Sequence, residues 1–521
     1  MSLFYANSLR DDRNSAAPYD VPCRSAIRDR RLDRRRQAQV TEFSPDKSSM
    51  LRPSRMRYAV LAVFCTLGFI AYVDRICIMR VQDDMAVDLN LAELSAADEA
   101  KLQAEGKQND PVARKKLIVE RSAVPLSWIF GAFTVGYLLF EIPGGRMGDR
   151  KGPRKVLFRI ILYWSLFTAL TGATDKIVGW FIASPGTWTL VAALILVRFL
   201  FGAGEAGAFP NISRVMARWF PYRDRSFAQG AIWMASRIGG ALAPTIVGLL
   251  ITLAGGWRQS FYLLGAVGAV WALFFYWWFR DRPEDMPGCN AAEVDLIRSG
   301  APPGSLHEDR HAPVPWSRLL TSVNLWALYI CHAFVCFSWF FFITFIPKYF
   351  ERRFGVRFAD SEIRSGLPLL AGGATCLIGG RFSDWLIRRT GNRRWGRSGV
   401  GAVSLAFAAV LTAMVPYAGG MNLTVVLLCL ASAAQDFMVP VMWSLPADIG
   451  GKHAGTVAGA MNMAGGIGGI IGTIATAQVG DYLGWSLVPW MFAVSYLLAA
   501  ILWLRIDASE PFDPTDAQRP S

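Results

Sequence analysis

The sequence predicts an all-α membrane protein of twelve transmembrane helices arranged as two six-helix bundles. Three observations carry this. Apolar residues make up 53% of the 521 positions and charged residues only 18%, too little charge for a water-soluble chain of this length. The apolar residues arrive in blocks of about 20, apolar all round, which as helices cross roughly 30 Å of hydrocarbon; barrel strands would alternate instead. Finally, a marked loop recurs at the matching place in the two halves of the chain.

Taken in order, residues 1–56 are polar and Arg-rich, with RDRRLDRRRQ at 28–37. Lacking the apolar core of a signal peptide, they read as a disordered basic cytoplasmic tail drawn to anionic lipid. The first six spans are expected at 57–79, 123–144, 154–173, 187–209, 227–254 and 258–279. They form an N-terminal bundle, 57–280, with an outer insert at 80–122 whose mixed acidic and basic clusters suggest a helical hairpin or partial disorder. A polar, proline-containing linker, 281–322, follows, with one short amphipathic helix in AAEVDLIR. The second six spans are expected at 323–347, 366–387, 398–418, 422–446, 454–479 and 485–505, making a C-terminal bundle over 323–506 and leaving a tail at 507–521.

The net charge of +14 sits mainly in alternate short loops, such as 144–155, 214–225 and 388–397. That bias places those loops and both termini in the cytoplasm of a multi-pass protein of the cell (inner) membrane, and argues against nucleic acid as a partner. KYFERRFGVRF, within 348–365, is basic for an outer loop and runs against the pattern. The eight cysteines lack paired-ligand spacing and His332 stands alone in a span, so no metal site or cofactor is expected. No nucleophile constellation suggests an enzyme.

The recurring loop reads Gly145-Arg146-Met147-Gly148-Asp149-Arg150 after the second span and Gly380-Arg381-Phe382-Ser383-Asp384 after the eighth. A glycine at the span's end lets helices approach closely, and Asp149 suits a helix cap or a pairing across an interface. Arg150 and its basic neighbours suit the inner leaflet. Gly145, Asp149, Arg150, Gly380 and Asp384 are therefore candidate gating residues, and six spans plus six is the layout of a duplicated transporter.

The fourth span carries Arg198 and Glu205, seven residues apart, on nearly one face and roughly 10 Å apart along the axis. Charges at this depth are costly and should face a polar cavity. Asp74 and Arg75, adjacent in the first span, diverge by about 100°, so one plausible arrangement turns Arg75 to the cavity and Asp74 to a neighbouring helix or the outer vestibule. Arginine stays charged and grips a carboxylate with two parallel donors, whereas a poorly hydrated carboxylic acid can load and release a proton. Tyr137 can offer a hydroxyl from the second span.

GGRMGDRKGPRK (144–155) resembles the signature loop of the major facilitator superfamily. AYVDR (71–75), FEIPGGRMGDRKGPRKV (140–156) and FLFGAGEAGAFPNISRVMARWFP (199–221) are similar to its anion–cation symporter family, over about residues 57–506. The resemblance implies the major facilitator fold and proton-coupled symport of an organic anion, with hexuronate, aldonate or aldarate as the best substrate guesses. It implies Asp74 and Glu205 as protonation sites, and Arg75, Arg198, Tyr137, Trp443 and Asn462 as substrate contacts. Two positions depart from it. Arg237 stands where many relatives have a neutral Gln, and would either add a third cation for a more highly charged anion or pair with Asp436 or Glu205. Pro440 stands where sugar-acid relatives can have Ser.

The expected partners are a small organic anion and the lipid bilayer, the chain a monomer, and the coupling ion a proton, with sodium left open. The alternatives are a symporter of another carboxylate or of an inorganic anion, an exporter or antiporter (ALAPTIVG at 241–248 only weakly resembles an exporter signature), and a non-transporting sensor.

Overall fold

A computed structural model describes residues 52–184, 186–298, 313–356 and 358–512, and these are built from helices with no strand among them. Nearly all of the predicted basic tail, residues 299–312 of the linker and the end of the C-terminal tail lie outside the described residues.

The first half comprises α1 (Met56–Asp88), α2 (Ala96–Ala104), α3 (Pro111–Arg121), α4 (Ala123–Lys151), α5 (Pro153–Phe181), α6 (Thr187–Glu205), α7 (Ala208–Trp219), α8 (Arg225–Ala254) and α9 (Trp257–Trp278). The linker holds α10 (Ala291–Arg298), which is the short helix expected there, and α11 (Trp316–Thr321). The second half comprises α12 (Val323–Phe340), α13 (Ile346–Phe354), α14 (Phe358–Thr390), α15 (Arg393–Met414), α16 (Met421–Ile449), α17 (Ala454–Gln478) and α18 (Val488–Trp503). Twelve membrane-crossing helices result, because α6 and α7 share one span and α13 extends that of α12 through a π-helical turn at Phe341–Phe345. Among the described residues ten helical stretches are long and apolar enough to cross a bilayer on that ground alone. The other two spans are α18, which is shorter, and α14, which carries Arg364, Arg381 and Asp384.

Several boundaries differ from the sequence expectation, the second and third spans running on to Lys151 and Phe181. The first helix continues to Asp88 rather than ending near 79, because Val81, Met85 and Ala86 keep its buried face apolar. The insert beyond it takes the helical form, one of the two expected: a Ser95–Asp98 capping box starts α2, and Asp110 followed by Pro111 starts α3. The fourth span is broken at Ala206–Gly207, where Gly207 takes φ 83°, a left-handed value that costs glycine nothing. The eighth span begins at Phe358 rather than 366.

Packing repeats between the halves. In the first, α1 packs on α8, α4 on α6 and α5 on α9; in the second, α12 packs on α17, α14 on α16 and α15 on α18. The halves meet through α8 against α14 and α4 against α17, so each contributes its second and fifth span. Here the loop glycines act: a Cβ on Gly145 would lie 2.0 Å from the Gly455 carbonyl oxygen, and one on Gly380 would lie 2.2 Å from that of Ser226. Both helix crossings need the bare backbone.

The ties between halves are concentrated at one end. Asp149 accepts from the Gly455 and Thr456 amides at 3.0 and 2.7 Å, capping the start of α17, and pairs with Arg214 at 2.6 Å. Its counterpart Asp384 accepts from the Phe227 amide at 2.7 Å in the first turn of α8, and pairs with Arg397 at 2.7 Å. Each signature aspartate thus caps a helix of the opposite half, where the helix dipole favours negative charge. Asp448 binds both Arg225 and Arg397. Further bonds between the halves join Ser213 to Trp443, Ser226 to Ser444, Arg237 to Asp436, and Asn462 to Tyr137 and Glu141. The molecule is latched at the signature-loop end.

Candidate functional site

The central site lies where α1, α4, α6, α8, α12, α16 and α17 face one another. In the first half, the expected spacing brings Glu205 and Arg198 inward, and both are buried. Arg75 donates from Nη2 to Glu205 Oε1 at 2.6 Å while remaining 27% exposed at its side chain, so solvent reaches one partner of this pair. Its guanidinium also lies 4.9 Å from the Tyr137 ring centre and 5.5 Å from those of Tyr72 and Phe133. The second Glu205 oxygen has no partner.

Arg198 is different. Only 2% exposed, it makes no ion pair among the described residues and rests on the Phe201 and Phe133 rings at 4.6 and 5.3 Å. An arginine at the centre of a membrane helix costs about 3 kcal/mol, and each ring returns only about 0.5–2 kcal/mol. Asp74, adjacent to Arg75, is turned from it by about 100° around the helix. It is 1% exposed beside the Trp164 indole, with neither oxygen hydrogen-bonded and with Glu205 and Arg198 as its charged neighbours.

The second half contributes shape and neutral polar groups. Asn462 donates from Nδ2 to Tyr137 Oη at 3.0 Å and to Glu141 Oε1 at 2.7 Å, bridging the halves. Trp443 is almost fully buried, within 5.8 Å of the ring centres of Phe209 and Trp233 and edge-on to His332. In this conformation it is part of an aromatic core rather than an exposed surface for a substrate to stack on. Arg237 corrects the idea of a third available cation. It binds Asp436 through two contacts of 2.8 and 3.1 Å and lies 3.6 Å from the Trp339 ring centre, so its charge is matched within the protein. Of the two partners proposed for it, Asp436 is the one it meets.

The structure therefore brings Arg75, Glu205, Arg198, Tyr137 and Asn462 together. It sets Arg237 in a closed pair and places Gly145, Asp149, Gly380 and Asp384 at the latch, with Arg150 exposed beside them. Sequence reasoning missed Glu141, fully buried in the FEIPGG stretch one turn beyond Tyr137. A carboxylate inside an apolar block was the available signal. Also missed was Asp448 of the latch. A cavity of about 570 Å³ opens elsewhere, at the loop end, walled by Arg214, Arg225, Arg298 and the linker; Arg214 and Arg225 already neutralise Asp149 and Asp448 there.

The family model described as Major Facilitator Superfamily matches residues 64–473. The chain belongs to this superfamily of multi-pass membrane transporters. Among curated proteins it is 31% identical to a probable sulfoacetate transporter of Cupriavidus necator, over 85% of this chain and 92% of that protein. It is 27% identical to a probable galactarate/D-glucarate transporter of Escherichia coli, over 84% and 90%. It is likewise 27% identical to a hexuronate transporter of Bacillus subtilis, over 77% and 90%. Among solved structures, the human organic anion transporter MFSD10 superposes with a TM-score of 0.59 at 17% identity, covering 87% of this chain and all of that one. The proton:xylose symporter XylE gives 0.61 at 13% identity, over 86% and 95%. These two likenesses concern the fold alone.

Proposed function

We propose that this chain is a secondary active transporter that imports a small organic anion together with protons by alternating access. The anion carries at least one carboxylate or sulfonate, and sugar acids of the aldarate, aldonate and hexuronate classes are the leading candidates. The observation that carries the reading is Arg198: a buried guanidinium that makes no ion pair among the described residues, with Glu205 of the Arg75–Glu205 pair and Asp74 as its acidic neighbours. A fixed cation kept at this cost is a receptor for an anion that comes and goes.

The chemistry follows from the pairings. With Glu205 ionised, Arg75 is held by it and only Arg198 attracts the anion. Protonation of Glu205 removes that hold and frees the Arg75 fork for the substrate, so proton and anion enter together. Asp74, buried without a partner, carries the companion proton. Tyr137 and Asn462 offer hydrogen bonds to hydroxyls or to the anionic group. The signature-loop end is the cytoplasmic one, by the placement of basic loops. Its latch, Asp149 on α17 and Asp384 on α8, opens to release the cargo inward.

Thermal stabilisation of the purified protein by D-glucarate, sulfoacetate and D-glucuronate identifies the anion class, and reconstituted uptake under an inward proton gradient tests the coupling. Glu205→Gln, fixed in the uncharged form, should keep substrate exchange but lose most of the gradient-driven accumulation, only the Asp74 proton remaining coupled. Accumulation equal to the unmodified protein would exclude Glu205 as the coupling group.

A further inference from the structure

Glu141 is the buried carboxyl that the scheme above does not use. Its exposure is zero, and no cation lies within ion-pair distance among the described residues. One oxygen accepts from Asn462 at 2.7 Å, and the other has no partner. An ionised carboxylate so placed would be desolvated with a single neutral hydrogen bond in compensation, whereas a protonated one loses little. The position is also mechanical. Asn462 belongs to α17 and Glu141 to α4, so their bond spans the halves, and a Cβ on Gly459 would lie 2.5 Å from the Glu141 carbonyl oxygen. This is the same α4–α17 contact that the Gly145–Gly455 crossing closes at the loop end.

The neighbours connect it to the coupling pair. The Asn462 amide that donates to Glu141 also donates to Tyr137, whose ring faces Arg75, which in turn holds Glu205. The titratable and charged groups acting on Glu141 are Tyr137 on its own helix and Arg75 from α1. From α17 it meets the neutral Asn462, and from the break between α6 and α7 the backbone at Gly207. His332 of α12 stands beyond Asn462.

We propose that Glu141 is a further proton-carrying residue, protonated while the loop end is latched and deprotonated when α4 and α17 separate. Separation breaks the bond to Asn462 and admits water to the carboxyl, which then gives its proton to the side that has opened. The step breaks one O–H bond, and the proton passes to water. This rests on the alternating-access reading and adds to it a group whose charge reports the distance between the halves.

The test needs neither the transported anion nor uptake. Infrared difference spectra of the substrate-free protein in lipid, unmodified against Glu141→Gln, should show one protonated-carboxyl carbonyl stretch at neutral pH that the variant lacks. In a Gly145→Phe background, where the added side chain cannot pass Gly455, the loop end is held open; spin labels at Arg150 and Thr390 report the opening. There the Glu141 band should be lost, replaced by carboxylate absorption. A missing band in the latched protein would overturn the proposal, and so would a band unchanged in the opened one. If the Gln variant does not fold, Glu141→Asp should shift the band rather than abolish it, and no shift would count against the assignment. Because transport is not measured, these outcomes stand apart from any failure of proton coupling at Glu205.

Discussion

Arg198 and Arg237 are the same residue type, similarly buried at 2% and 5% exposed, in the same six-helix half. Arg237 is matched: Asp436 takes two of its donors, Gln435 supports the same carboxylate, and Tyr496 donates in turn to Gln435. Arg198 has two aromatic rings and, among the described residues, no acid within ion-pair distance, Glu205 and Asp74 standing farther off. The difference separates a structural charge from a functional one. A buried pair holds two helices of opposite halves in register, whereas a buried charge left unmatched costs stability in every empty protein and is retained only for what it binds. The same degree of burial thus means different things, depending on whether the counter-ion is built in or supplied by the substrate.

The comparison can be broken most decisively at Asp436. Asp436→Asn would leave Arg237 buried without a counter-ion, and should cost about 3–5 kcal/mol of stability, read as a large fall in the thermal midpoint in detergent or lipid. Arg198→Gln should do the reverse: stability should hold or rise by up to about 3 kcal/mol, the cost of an unmatched arginine at a helix centre, while protection by the substrate anion disappears. If Arg198→Gln destabilised the empty protein as strongly as Asp436→Asn, the two arginines would not differ in kind. Removing both members of the structural pair, Arg237→Gln with Asp436→Asn, should restore most of what Asp436→Asn alone loses, because a neutral pair leaves no orphaned charge; thermal unfolding of the double variant checks this.

The smallest effect is expected from an ion pair of the same kind outside the membrane. Asp98 meets Arg121 between the short helices of the insert, where the Arg121 side chain is 55% exposed. Arg121 and the Ser95 hydroxyl hold the Asp98 carboxyl down at about 2, below its ordinary 3.8. The contribution of a lowered carboxylate is present above its ordinary value and is lost as pH falls through about 2, so the α2–α3 contact should persist at pH 4. Asp98→Asn should loosen that contact in hydrogen exchange and leave the global thermal midpoint nearly unchanged.

Much of the fold was legible because the bilayer imposes a coarse rule. Blocks of about 20 apolar residues have one solution, the helix, and the duplicated Gly-Arg-x-x-Asp order announced the paired halves. Boundaries were less legible where helix and apolarity part company. The first helix runs on through Arg80, Asp83 and Asp84 because only one face needs to be apolar there, and the fourth breaks at a glycine that the apolar pattern does not flag. At the site, the intramembrane charges could be picked out one at a time, and Arg198, Glu205 and Arg75 do converge. Their pairings could not be read, since which acid meets which arginine depends on helices far apart in sequence: Arg237 and Asp436 are 199 residues apart. Glu141 was passed over because it lies inside a motif whose glycines and proline already had an explanation.

The most direct test of anion–proton coupling at Arg198 and Glu205 is the pH inside proteoliposomes when the anion is added without any imposed gradient. D-glucarate and sulfoacetate are the probes, with a pH-sensitive dye trapped in the lumen. Uptake by the unmodified protein should acidify the lumen, Glu205→Gln should admit anion with less acidification per anion because only Asp74 then carries a proton, and Arg198→Gln should do neither. Entry of anion at a constant internal pH would contradict proton coupling, and entry through Arg198→Gln at the unmodified rate would contradict the assignment of the receptor charge.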